Sequence, residues 1–302
     1  MLFAFLTTVL WSFSAIFARR LVGTLGSTLA NLSRSLVAVA LLGIWAFAFG
    51  QGCRGDGFQW YLLSGVIGFG LGDITLYFAL ARIGSRLTLL LTQCLAAPFA
   101  IAIEWLWLGT ALTPAQLLCT AGVLGGVSAA LVPKDNPHLP PHTLWSGIGF
   151  GILAALGQGL GAVISRKAYA LSLASGVQID GGTAAFQRIL AGAVIGSLAW
   201  WLWRQRAGEQ RWSGLVAAWA DRRFRYTLLA AALCGPVVGV GCYQWALATA
   251  PSGIVLPIVA LCPVVIIPFS WWLEGDRPKP RSLVGAALAV ASAIALARLR
   301  TG

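Results

Sequence analysis

Ser33-Arg34-Ser35-Leu36-Val37-Ala38 and Gln187-Arg188-Ile189-Leu190-Ala191-Gly192 read as two copies of one element: a polar residue, an arginine, then a run of apolar and small residues. The likeness continues on either side. Arg19-Arg20-Leu21 closes the apolar run ahead of the first copy, and Arg166-Lys167-Ala168 closes the run ahead of the second. Tyr77-Phe78-Ala79-Leu80-Ala81 follows the first copy, and Tyr243-Gln244-Trp245-Ala246-Leu247-Ala248 follows the second. Pro98 finds its partner in Pro263. Correspondence kept in order through both halves marks an internal repeat.

Composition says what the repeat is made of. Of the 302 residues, 58% are hydrophobic and 10% charged, with a mean hydropathy of +0.81. A soluble domain carries about a quarter charged residues. The balance excludes an ordinary cytosolic enzyme, a disordered chain and a disulfide scaffold. A membrane helix takes roughly 20 apolar residues, so ten spans use about 200 and leave short loops. Spans are expected near 2–18, 29–49, 59–81, 87–108, 113–132, 144–165, 183–203, 226–248, 253–273 and 282–297. The expected fold is an all-α integral membrane domain over 1–302, with five-helix repeats at 1–132 and 144–302 and a proline-rich linker at 133–143. Five is odd, so the second repeat enters the bilayer from the opposite side. The repeats are therefore inverted about an axis in the membrane plane, an arrangement that suits a transporter.

The net charge of +12 does not point to nucleic acid, because the cations gather at span ends, where they orient membrane helices. Many tryptophans fall there too, at headgroup depth. The first run lacks a basic start and a cleavage site and is read as a mature helix. Five of the six cysteines lie in apolar runs and no CxxC occurs, so they read as packing residues. His138 and His142 are separated by Pro140-Pro141, which denies them the helix a metal pair at that spacing needs. Gly68, Gly70 and Gly72 belong to no strand–helix unit and form no dinucleotide loop. No metal or cofactor is expected.

Polar residues inside the spans are the candidates for function. Asp73 sits mid-span, where an aspartate costs about 2.5–3.5 kcal/mol on insertion scales, so it should face a cavity or a partner. Tyr77, four residues on, shares its face. Proton coupling through Asp73 is one reading, a structural hydrogen bond another, and an ion pair with an arginine a third. Arg34 and Arg188 stand in matching positions, able to bind an anionic group. The alternative, slightly favoured, is that they snorkel to opposite interfaces. Glu104, near the end of its span, is read as reaching the headgroups, with proton coupling as the alternative. Gln93, Gln158, Gln187 and Gln244 either line a polar cavity or join helices, and Trp11 and Tyr243 complete the cavity candidates. Pro98, Pro257, Pro263 and Pro268 suit kinks or a gate. Small residues at Gly65, Gly68 and Gly72, Gly157 and Gly161, and Gly235 and Gly239 permit close helix contact.

Trp11-Ser12 followed by Arg19-Arg20, the arginines at 34 and 188, Ala79-Leu80 and Ala246-Leu247 before turns at Ser85 and Pro251-Ser252, and Pro98 and Pro263 together resemble the drug/metabolite transporter superfamily, specifically its EamA-type ten-helix exporters. The likeness covers essentially the whole chain and rests on the order of these features in both halves. It departs where relatives often have Leu-Gly-Glu, since this chain has Leu108-Gly109-Thr110 and Leu273-Glu274-Gly275-Asp276. The resemblance implies export or exchange of small organic metabolites such as amino acids, by a monomer in the inner membrane. The competing classes are a passive facilitator and a membrane enzyme. The enzyme would need a cluster of His, Asp or Ser at one depth, and none is visible.

Charge and resemblance disagree on orientation. Of the 21 Lys and Arg residues, only Arg54, Arg166, Lys167, Arg298 and Arg300 lie on the side of the termini. Arg34 and Arg188 are within spans, and the rest lie on the other side. The positive-inside rule then places the termini outside, whereas the resemblance implies cytoplasmic termini.

Overall fold

The computed structural model describes residues 1–131, 140–207, 216, 218–265, 267 and 280–299. Among them there is no strand. The helices are α1 Leu2–Leu25, α2 Ser27–Ala48, α3 Phe58–Gly84, α4 Leu87–Leu108, α5 Pro114–Leu131, α6 Pro141–Ala174, α7 Gly181–Ala207, α8 Arg222–Thr249, α9 Ser252–Val265 and α10 Pro280–Arg298. Eight are long and apolar enough to cross a membrane, and the α5 and α9 segments are shorter apolar helices.

The boundaries differ from expectation where local chemistry extends a helix. α6 starts at Pro141, inside the stretch expected as linker, because proline at the first helical position lacks only an N–H that has no partner there. α1 runs seven residues past Ala18, to Leu25. Gly26 then turns the chain directly into α2 with φ 76°, and Gly84 does the same between α3 and α4 with φ 70°. The second half of the span expected at 253–273, with Pro268, lies outside the described residues, as do residues 133–139 of the linker and His138.

The packing has the symmetry of the repeat. α2 packs on α7 and α5 on α10, each helix on its own repeat mate. α1 packs on α8, and correspondingly α6 packs on α3. Glycines make these contacts close. A Cβ on Gly157 would stand 2.9 Å from the Gly72 Cα, and one on Gly126 would stand 2.6 Å from the Ala289 nitrogen. Association in lipid relies on such backbone approach, since hydrocarbon tails are as apolar as the helix faces. The outward faces carry exposed Ile44, Phe47, Leu118, Val194 and Val284.

One irregularity recurs in both repeats. α3 is π-helical over Val66–Gly72, and α8 over Leu233–Val237. Each wide turn lies just ahead of its repeat's tyrosine, Tyr77 or Tyr243. Three glycines loosen the first, and Pro236, which has no N–H to donate, interrupts the second.

With successive helices running in alternate directions, the α1–α2, α3–α4, α5–α6, α7–α8 and α9–α10 connections share one face, which carries most of the cations among the described residues. We refer to it as the basic face, and to the other, which holds both termini, as the terminal face.

Candidate functional site

The α2–α7 contact brings the two repeat arginines to the middle of the bundle. Arg34 is 6% exposed and Arg188 is 4% exposed. Neither snorkels. The reason is space: a Cβ on Gly235 would lie 2.9 Å from Arg34 Nη1, and one on Gly68 would lie 2.8 Å from Arg188 Nη2. The wide turns of α8 and α3, built from glycine, thus make room for one guanidinium each.

Their surroundings then diverge. Arg34 donates from Nη2 to the carboxylate of Asp73 and to Asn31 Oδ1 at 3.3 Å, and its guanidinium lies 5.1 Å from the Tyr77 ring centroid. Of the readings for Asp73, the ion pair is the one present. Arg188 packs over the Phe69 ring at 5.2 Å and has no ion pair to a described carboxylate; the Nε atoms of both arginines are without a hydrogen-bond partner. The repeat position of Asp73 is Gly239, which is covered by the indole of Trp11.

These groups border a cavity of about 110 Å³. At ~10–15 Å³ per water on this measure, it has room for a small organic solute. Trp11, Arg34, Asp73, Tyr77, Gln93, Gln158, Arg188 and Tyr243 all line it. Trp11 and Tyr243 are in ring contact at 5.1 Å, and Gln158 Nε2 donates to Gln93 Oε1 at 3.1 Å, tying α6 to α4. Gln244 is buried but does not line the cavity. One residue along from Tyr243 on a helix, it faces about 100° away.

The match to known proteins covers both repeats. The model of the EamA-like transporter family matches residues 1–132 and 145–298. The chain belongs to this family. It is therefore a multi-pass membrane transporter, and eight of its described helices are long and apolar enough to span a bilayer. No curated protein matches the sequence. A protein of known crystal structure is similar in fold, with a TM-score of 0.75 at 16% identity over 99% of this chain and 96% of that one.

In this EamA-like transporter the cavity is one-sided. Ala18, Leu76, Leu80 and Leu89 extend its lining toward the basic face. The terminal half is closed by hydroxyls donating across helices. Thr7 donates to the Gly239 carbonyl at 3.3 Å, Thr8 to that of Ile258 at 3.0 Å, Ser12 to that of Cys262 at 2.7 Å and Ser64 to that of Gly161 at 2.6 Å. Gln187 bonds the Gly52 and Arg54 carbonyls at 2.9 and 3.1 Å rather than facing the cavity.

Glu104 belongs to this closed half. It is 2% exposed, so it does not reach the headgroups. Ser252 donates to it from both its hydroxyl and its backbone N–H, and Arg166 Nε lies 2.6 Å from its Oε1. Arg166 Nη1 also caps the end of α8, donating to the Leu247 and Ala250 carbonyls at 3.0 and 2.6 Å. The cluster joins α4, α6, α8 and α9 away from the cavity. Trp45 and Asp180 form another such tie, Nε1 to Oδ1 at 2.8 Å.

The prolines divide. α4 stays helical through Pro98. α9 carries Pro257 within its first helical stretch and breaks into a turn at Ala260-Leu261, just before Pro263. Thr8 and Ser12 bond carbonyls on either side of that break.

Sequence reasoning missed Phe69, Pro236 and the Glu104–Arg166 pair. Phe69 is embedded in the glycine stretch read only for close packing. Pro236 sits among apolar residues with no polar neighbour to mark a site. The ion pair joins residues 62 positions apart, which only the packing of α4 on α6 makes adjacent.

Proposed function

We propose that this chain is a secondary transporter, an exporter or exchanger, that moves small organic metabolites such as amino acids through the central cavity by alternating access. The repeats at 1–132 and 144–302, joined by 133–143, surround the cavity in a monomer of the cell's inner (plasma) membrane. The observation that carries the reading is the one-sided cavity between the repeats. Its lining extends toward the basic face, and interhelical bonds seal the terminal half. The pseudo-two-fold pairing of α1 with α8 and α6 with α3 supports an exchange of roles, in which equivalent contacts seal the basic half while the terminal half opens. The kinked α9 and the wide turns of α3 and α8 are where bending is easiest.

Asp73 is the one carboxylate among the described cavity-lining residues. We assign it to proton coupling: a solute that loosens its bond to Arg34 leaves a carboxylate able to take up a proton, and release of the solute restores the pair. Glu104, outside the cavity and held by Arg166 and Ser252, is a secondary candidate.

The test is flux into liposomes containing a trapped pH dye, with a panel of amino acids, organic acids, amines and nucleosides. Saturable counterflow is the expected result. Solute-driven proton movement in the wild type that disappears in Asp73→Asn supports coupling. Equal solute flux in both, without protons, leaves a facilitator or exchanger. A water path open to both sides at once, seen by cysteine labelling along the cavity, contradicts alternating access.

A further inference from the structure

We infer that the cavity selects solutes with a single negative charge, of the monocarboxylate class, and that Arg188 is the group that holds the carboxylate. The inference rests on the transporter reading above and narrows its substrate class to monocarboxylates, setting aside zwitterionic amino acids, whose ammonium adds a second positive charge.

Charge balance is the first argument. Among the described residues, three charged side chains line the cavity: Arg34, Asp73 and Arg188. Arg34 and Asp73 neutralise each other in their ion pair. Arg188 is left over, 4% exposed, with its Nε unpartnered. A guanidinium withdrawn from water this far is unfavourable unless a negative charge reaches it.

The groups facing Arg188 from each packed helix carry none. α3 offers Gly68, Phe69 and the phenol of Tyr61, α6 offers Gly161 and the phenol of Tyr169, and α8 offers the phenol of Tyr243, none of them a carboxylate. Asp73 acts on Arg188 only at longer range and is already bonded to Arg34. The inverted repeat sharpens the contrast. In one half the arginine has its aspartate, and in the other the matching position is Gly239, so the missing carboxylate is one that a solute can bring. A planar guanidinium binds a carboxylate through two parallel hydrogen bonds.

The second argument is independent of charge. The hydroxyls of Tyr77 and Tyr243, both lining the cavity, have no hydrogen-bond partner. Buried donors of this kind are ordinarily satisfied, and each is able to donate to a carboxylate oxygen. Trp11 and Phe69 supply an apolar wall for the body of the solute. One residual positive charge matches one carboxylate. A dianion leaves a negative charge unpaired, and an amine adds to the positive one.

Two measurements test this on the full-length protein in liposomes. The first compares phenylacetate, phenylacetamide, phenethylamine and phenylphosphonate, together with amino acids and short monocarboxylates, as counterflow substrates. The expected result is transport of monocarboxylates, with loss in Arg188→Gln and partial retention in Arg188→Lys. Transport of amines or amides in place of carboxylates overturns the inference and leaves the transporter reading standing. The second needs no substrate. In Gln158→Cys, an anionic sulfonate thiol reagent is compared with a trimethylammonium one of the same length, and the modified peptide is read by mass spectrometry. An unpaired cation nearby should favour the anion by about tenfold or more, and Arg188→Gln should remove that preference. Equal rates, or faster reaction of the cation, overturn the inference even if no panel member is transported. That last outcome, with the preference present, would count against the transporter reading alone.

Discussion

Arg34 grips Asp73 across the α2–α3 contact, while Arg188, its repeat mate, meets Phe69 and Gly68 of α3, and Gly239 holds the repeat position of Asp73. One ion pair in a pseudo-symmetric site makes the two halves chemically unequal. In the alternating-access cycle proposed above, the repeats would supply matched shapes for two conformations and this asymmetry a preferred side for the solute.

Breaking that pair has a measurable consequence. Asp73→Asn leaves Arg34 charged and unpaired in the protein interior. Removing one partner of a buried pair costs about 3–5 kcal/mol, and the lower end applies because the Asp73 side chain is 19% exposed. Thermal unfolding in detergent should show the loss. The double variant Arg34→Gln with Asp73→Asn should recover much of it, since neither charge then lacks a partner.

Glu104→Gln tests the closed terminal half. The variant leaves Arg166 without its counter-ion at the corner of α4, α6, α8 and α9. A stability loss of about 3 kcal/mol is expected. Hydrogen exchange at residues 247–256 should quicken, because Ser252 loses the charge on its acceptor and Arg166 its anchor. Unchanged exchange there would remove the cluster from any gating role.

Glycine variants separate packing from helix propensity. A Cβ on Gly65 would fall 1.9 Å from the Arg188 carbonyl oxygen, whereas one on Gly125 meets nothing within 4 Å. Gly65→Ala should destabilise by about 1–3 kcal/mol or more through overpacking of α3 on α7. Gly125→Ala, in the open, should stabilise by up to about 1 kcal/mol from helix propensity alone. Melting temperatures moving in opposite directions would bear out the close approach.

Asp180 caps α7, accepting from the Gly182 and Thr183 backbone N–H groups at 2.8 and 3.0 Å while also holding the Trp45 indole. Asp180→Ala should cost about 1–2 kcal/mol, and Asp180→Asn, an equally good cap, much less. Trp45 fluorescence should respond to the alanine variant, read as a difference spectrum in which the other tryptophans cancel.

Much was legible in the sequence because the bilayer imposes a strict rule. A spanning helix must satisfy its backbone internally and present apolar side chains outward, so composition and run length suffice to find the spans and their odd number per repeat. Asp73 and the two arginines were conspicuous for the same reason, being polar where polarity is expensive. What stayed hidden depended on which helix faces which. Arg34 and Asp73 are 39 residues apart, and Glu104 and Arg166 are 62 apart. No periodicity in either segment encodes those encounters. They arise when glycines on α3, α6 and α8 let backbones approach and leave pockets of the size of a guanidinium. The sequence by itself therefore determined the medium, the repeat and the residues whose polarity needs an explanation. Only the tertiary structure decided their partners: that Arg34 pairs with Asp73, that Glu104 pairs with Arg166 away from the cavity, and that Arg188 lines the cavity against Phe69. Partnership between helices is set by packing at close range, and hydropathy does not record it.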